Sequence, residues 1–358
     1  MMNMEEMKKS LESPPPVSFL SLPHDIVDNC LARIPRILRP ALSLVSRSFR
    51  SIIASPELEV TRLRMGIVDD CLYVCLEMGD ENNPNPRWFT LAPIPKRQKL
   101  LPILDSFPYQ HPETSTIVSM GSKMYLIGGL VDEERSRRVL FLDCRSHQWF
   151  SLPDMIVPRD RPAAEVIDGK IYVIGGCSKD KNVEHWGEVY DPQTLTWEPF
   201  SPATLDLTNQ KSVVQGRLVM GGRVYETNGL KLSLKREICL VETETNVWCE
   251  IYLCSGELRW RDAYVDLTWR SVEGLEKLSP YSFLVTVANS GGRRVTVWWK
   301  HCRYVEKWVT DIWCAEISFK RQGVRGLRGC VEWTKSVLRF DGRDCPKKFV
   351  LHSALVTH

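Results

Sequence analysis

The chain has 358 residues, 43% hydrophobic and 25% charged, an ordinary make-up for a globular protein and a length that suggests two domains. Its 47 basic and 44 acidic residues leave a formal charge of +3, too balanced to argue by itself for nucleic acid or a membrane surface. None of the 12 cysteines forms a Cys-x-x-Cys pair and the 7 histidines show no zinc-site spacing, so no metal or cofactor is expected.

Residues 1–16, charged and then Pro-rich, read as a disordered tail without the features of a signal peptide. No apolar run approaches the roughly 20 residues of a bilayer span. The expectation is an intracellular protein, cytoplasmic and/or nuclear, with reduced thiols.

Ordered structure is predicted from Phe19. Pro23 suits a first helical position, with Ser21 able to cap ahead of it. Ile26, Cys30 and Ile34 recur at i, i+4 and i+8 with Val27 and Leu31 beside them, one apolar stripe on a helix. Pro35 stops that helix. Pro40 opens a second one, on which Leu42, Val45, Phe49 and Ile52 share a face, and Pro56 closes the segment. Two or three short helices in about 40 residues bury too little area to stand alone comfortably. Their stripes call for a partner, or for service as a helical cap on the next domain.

Leu22-Pro23-x-Asp25-Ile26-Val27, followed by the second apolar helix through Phe49 and Ile53, resembles the F-box, here over residues 17–62. Phe49 stands where many F-boxes carry Trp. The resemblance implies docking on the Skp-type adaptor of a cullin–RING ubiquitin ligase. It assigns Leu22, Pro23, Ile26, Val27, Leu31, Ile34, Leu42, Val45 and Phe49 to apolar F-box positions, some facing the adaptor and some the module's own core.

From about residue 114 a motif repeats. Gly128-Gly129, Leu142-Asp143 and Trp149 are followed by Gly175-Gly176, Tyr190-Asp191 and Trp197, then by Gly221-Gly222, Val241-Glu242 and Trp248. The acidic residue precedes the Trp by 6 positions each time, and the Trp-to-Trp steps are 48 and 51. An apolar strand running into a Gly pair suits a turn at positive φ or a close backbone approach. Asp191-Pro192 suits a tight turn, and each Trp supplies a packing plate. One such sheet cannot bury both faces, so the units must stack. The set resembles the kelch repeat, recognisable at about 114–155, 162–202 and 211–253, the third degenerate. It implies an all-β propeller over 66–358 with five or six blades, closed by N- and C-terminal strands. One blade is expected per repeat and a fourth across about 258–319. Strands at 71–91, 329–340 and 348–357 are left to make up the closure.

Several features bear on chemistry. The loops after the Gly pairs, at 131–138, 177–186 and 223–235, are charged, and Trp186 is a candidate exposed aromatic. Between Arg293 and Arg328, nine Lys/Arg face three acids with Trp298, Trp299, Tyr304, Trp308 and Trp313 interleaved, a mix that can track phosphates and stack bases but equally suits blade cores with basic edges. The histidines read as turn or surface residues. Neither a Gly-x-Ser-x-Gly elbow nor a P-loop occurs. The whole order resembles plant F-box/kelch-repeat proteins. That resemblance implies a non-catalytic substrate-recognition subunit of an SCF-type ubiquitin ligase. Its partners would be the Skp-type adaptor, through it the cullin and RING protein, and a target protein of unknown identity. The alternatives are an adaptor-binding scaffold without ligase role, or a propeller that binds a small ligand or nucleic acid.

Overall fold

Serines and prolines set the boundaries of the helical segment, and period-2 apolar patterning sets the rest. The computed structural model describes residues 19–35, 38–79, 84–91, 98–103, 106–177, 186–200, 213–214, 217–220, 223–228, 231–233, 238–244, 247–262, 268–276, 278, 284, 286–290, 293–323, 325–342 and 349–357. The tail at 1–16 and the pair Gly221-Gly222 lie outside these. The chain divides into two compact units, 1–69 and 70–358.

The first unit has a 3-10 turn at Phe19–Ser21, then helices α1 (His24–Ala32), α2 (Arg39–Ser43), α3 (Arg47–Ile53) and α4 (Pro56–Arg64). Three boundaries differ from expectation. Pro23 is the N-cap of α1 rather than its first residue, and no side chain caps that end; the Pro23 carbonyl instead accepts from the N–H groups of Ile26 and Val27. The single helix expected from Pro40 to Ile52 is two. Ser46 takes extended backbone and its Oγ accepts the Phe49 N–H at 3.1 Å, which starts α3 afresh. Pro56 opens α4 rather than closing the module, with Ser55 capping the Leu58 N–H. Val27, Leu31, Ala32 and Leu58 form the core, flanked by Ile34, Phe49, Ile52 and Met65. Arg62 of α4 is 1% exposed. Its guanidinium donates to the carbonyls of Ala32 and Ile34 at the end of α1 and pairs with Asp69 at 2.7 Å. Those carbonyls have no helical partner, so a buried cation there is well placed.

The second unit is a propeller of antiparallel sheets. Thr116–Met120, Lys123–Ile127, Val139–Asp143 and Gln148–Ser151 form one four-stranded sheet, and Ala163–Ile167, Lys170–Ile174, Gly187–Asp191 and Thr196–Phe200 the next. Thr286–Asn289, Arg294–Val305, Lys307–Gln322 and Gly326–Asp341 form another. The closing sheet joins the chain ends in the order Val350–Thr357, Asp70–Glu77, Pro86–Leu91, Leu101–Pro102, with Asp70 opposite Thr357. Between the second and the last of these in sequence lies an eight-stranded sheet. Counted by hydrogen-bonded sheets the ring has five blades. The eight-stranded one carries strands for two, its halves joined among the described residues at Arg223 opposite Cys239.

Two expectations about blade make-up are corrected here. The strand Glu257–Asp262 pairs with Val247–Cys254 and belongs to the eight-stranded sheet, so no blade spans 258–319. The strand Gly326–Asp341 pairs along its length with Lys307–Gln322, which leaves only Val350–Thr357 to close the ring. The reason is length: Lys307–Gln322 and Gly326–Asp341 are both 16 residues and form one continuous hairpin.

The core lies between sheets. In the strand Arg294–Val305, alternation sends Val295, Val297 and Trp299 toward Ile251 and Trp260 of the eight-stranded sheet. Trp298 goes to the opposite face, against Val74 and Phe89 of the closing sheet. Tyr125, Ile127 and Val139 likewise pack on Ile171, Val173 and Tyr190 of the neighbouring blade. With both faces covered, the strand Asp70–Glu77 is buried at every residue after its first.

Candidate functional site

The helical module sorts its apolar residues by exposure. Val27 and Leu31 are buried, and Ile34 and Phe49 pack on the core they form. Leu42 is half-buried. Leu22, Pro23, Ile26 and Val45 are exposed, Ile26 by 44% and Val45 by 65%. Leu44, exposed by 78%, joins them. Sequence reasoning passed over it because it falls off that apolar periodicity; it lies in the turn that precedes Ser46. Exposed large apolar side chains are concentrated in this small unit, a feature that interaction surfaces share.

In the propeller the glycine pairs sit where neighbouring loops cross. Gly128 and Gly129 have φ of +60° and +99°. A Cβ on Gly128 would lie 2.6 Å from the Arg159 carbonyl oxygen, and one on Gly129 would overlap that of Glu113. Gly175 and Gly176 also take positive φ, and a Cβ on Gly176 would meet the Asp160 carbonyl at 2.5 Å. The loop 155–161 is thus threaded between the two Gly pairs. Arg159 fixes it. Its Nε donates to Glu188 Oε1 at 2.7 Å, with both side chains 1% exposed, and its Nη1 donates to the carbonyls of Gly175 and Trp186. The other Glu188 oxygen accepts the Ile156 N–H. Trp186, expected as an exposed aromatic, is 7% exposed and helps line this cage.

Asp143 and Asp191 build equivalent turns. Each carboxylate accepts an N–H two residues on, and each carbonyl accepts an N–H four residues on, from His147 and Leu195, both at positive φ. Leu142 lies opposite Trp149 and Tyr190 opposite Trp197. The third motif departs from this pattern. Arg217–Met220 pairs with Arg223–Asn228, not with the strand carrying Glu242, and Trp248 lies opposite Glu242 itself. The match at 211–253 therefore joins pieces of two four-stranded halves. None of the three tryptophans is fully buried. Trp197 stacks 5.1 Å from Tyr190 and donates its Nε1–H to the Pro153 carbonyl. Trp149 stands 5.7 Å from Trp88 and 4.9 Å from Phe107.

Trp88 and Phe107 also line a wide concavity, a funnel of about 1480 Å³. His111 and His352, expected at turns or the surface, both line it, His352 buried and His111 half-buried, their rings 5.3 Å apart and both against Trp88. Burial lowers the His111 pKa to about 4, offset in part by its bond to the Pro112 carbonyl, so the imidazole is neutral near pH 7. Cys75 Sγ lies 3.5 Å from His111 Nε2, and burial pushes that thiol up, away from nucleophile chemistry. Its lining includes the segment 106–116, which leads into the strand Thr116–Met120, and the hairpin after Gly129. Glu113 exchanges backbone hydrogen bonds with Leu130, which sets its carboxylate beside the hairpin tip, where Asp132 and Glu133 both take positive φ. In the basic stretch, Trp298 and Trp299 are buried and Trp313 partly so, which leaves Tyr304 and Trp308 exposed at a hairpin end.

The F-box domain family model matches residues 19–61, and the FKB95, Kelch-repeats domain model matches 88–338. Among curated proteins, an F-box/kelch-repeat protein of Arabidopsis thaliana is 54% identical over 353 residues, covering 99% of this chain and 92% of its own. A second from that plant is 51% identical over 378 residues with both chains fully covered, and a third 46% identical over 367 residues, covering 99% of each. The matches to both family models, and the full-length likeness to these relatives, place the chain in the F-box/kelch-repeat family.

Proposed function

We propose that this chain is the substrate-recognition subunit of an SCF-type cullin–RING ubiquitin ligase. The pairing of an F-box with kelch repeats is that of an adaptor or receptor, not a catalyst. In this reading residues 17–62 hold the Skp-type adaptor, and through it the cullin and RING protein, while the propeller over 66–358 holds a target. The observation that carries it is the split of the F-box side chains. Val27 and Leu31 build the core, whereas Leu22, Pro23, Ile26, Leu44 and Val45 face outward with a shape and apolarity suited to a helical partner. The receptor itself transfers no group. It raises the effective concentration of a target lysine beside a charged conjugating enzyme. Such a role places the protein inside the cell, in cytoplasm and/or nucleus; among the described residues no helix is long and apolar enough to cross a membrane.

The test is a titration of the full chain with the Skp-type adaptor. The Leu22→Ala/Pro23→Ala variant is expected to bind at least tenfold more weakly, since buried interface anchors cost about 2 kcal/mol or more on truncation. Both residues lie outside the module's core, so its fold should persist. Affinity unchanged within about twofold would remove the docking role from this surface.

A further inference from the structure

We propose that the funnel reads a peptide segment of the target through a cationic side chain, lysine or arginine. The inference rests on the receptor reading and names its substrate class.

Size argues first. The volume of about 1480 Å³ exceeds the roughly 300–1,000 Å³ of a typical small-molecule cleft, and suits several residues of extended chain. Charge argues second. Among the described residues the lining carries four carboxylates, Glu77, Glu113, Asp132 and Glu133, against two guanidiniums, Arg87 and Arg161. Glu77 is buried and accepts the Gly79 and Asn85 N–H groups. The other three acids stand exposed on the lining, grouped by the Glu113–Leu130 backbone pairing, with Asp132 held by Gln110 at 2.8 Å. Aromatic surface argues third. Phe107 is half-buried in the same wall and offers a π-face to an entering cation, while one face of Tyr109 is already taken by Arg138, 3.9 Å from the ring centroid.

The fourth observation is independent of charge. Thr286 is 6% exposed and Trp88 4%, and both line the funnel. Among the described residues neither Thr286 Oγ1 nor Trp88 Nε1 has a hydrogen-bond partner. Buried polar groups are ordinarily paired. An indole N–H requires an acceptor, and a peptide backbone supplies carbonyl oxygens at regular spacing. Carboxylates for the side chain, with orphaned polar groups on the same lining for the main chain, suit a basic peptide better than a free cation.

The test uses fluorescence anisotropy on the full chain with three labelled ten-residue peptides of Gly and Ser, carrying three Lys, three Gln or three Glu. The Lys peptide is expected to bind at least tenfold tighter than the Gln peptide and the Glu peptide weakest, with the preference shrinking as salt rises. The Glu113→Gln/Asp132→Asn/Glu133→Gln variant should lose the preference. Thr286→Val, close in shape and exchanging the hydroxyl for a methyl group, should weaken the Lys peptide severalfold without lowering the melting temperature. Equal binding of the three peptides, or a triple variant that keeps its preference, would overturn the proposal. Adaptor titration of the same preparations separates the two questions: a chain that docks the adaptor but ignores peptide charge sinks this inference alone.

Discussion

Arg159→Met is the most exacting test of how the propeller face is held. The guanidinium lies 2.7 Å from Glu188, both are buried, and it also satisfies the carbonyls of Gly175 and Trp186. Two unit charges about 4 Å apart at an effective dielectric near 20 attract by roughly 4 kcal/mol. Removing one member of a buried pair costs about 3–5 kcal/mol, because the survivor is stranded. Whole domains are stable by only about 5–15 kcal/mol, so the loss is a large fraction. Urea unfolding followed by tryptophan fluorescence should show the midpoint fall accordingly. The double variant Arg159→Met/Glu188→Leu should lie at least about 1 kcal/mol above the sum of the single changes, since no carboxylate is then stranded. It should not return to the parent level, because the Ile156 N–H loses its acceptor. A loss under about 1 kcal/mol for Arg159→Met, or strict additivity, would refute the reasoning.

Trp197→Ala should cost about 2 kcal/mol in thermal or urea melts, less than the 3–5 kcal/mol of a fully buried aromatic, because the ring is half-buried and its hydrogen bond to Pro153 contributes about 1 kcal/mol. Leu195→Asn should raise the melting temperature, with up to about 1 kcal/mol gained, since leucine at φ 58° is strained and its side chain is 57% exposed. His111 has a folded pKa lowered from about 6.5 to about 4. The unfolded chain then binds its proton first, so stability is full above pH 6.5 and falls as pH drops toward 4, by about 2 kcal/mol at pH 5. His111→Gln should flatten that part of a pH-stability profile; an unaltered slope would place the titration elsewhere.

What sequence could reveal follows the range of the forces involved. The two well-formed repeats were legible because a Gly pair, an Asp turn and a Trp act within one blade, where spacing along the chain mirrors spacing in the fold. The third was misread because its motif residues belong to two strand sets, joined among the described residues at a single residue pair. The F-box was legible as two apolar patterns, but the exposed Leu44 and Val45 lie in the turn before Ser46, which caps a fresh helix, a local event that periodicity overlooks. The buried Arg62 and Arg159, the His111–His352 contact and the concealed Trp186 arise from long-range packing. A charged or polar residue in a single sequence carries no mark of the cage that will enclose it.

The most direct test of the receptor account is recovery of partners by the tagged full-length chain incubated with the Skp-type adaptor, cullin and RING protein, with the Leu22→Ala/Pro23→Ala variant alongside. The account predicts a stoichiometric complex with the intact chain and its loss with the variant, while both show the same melting temperature. A folded, intact chain that recovers neither adaptor nor cullin would contradict it.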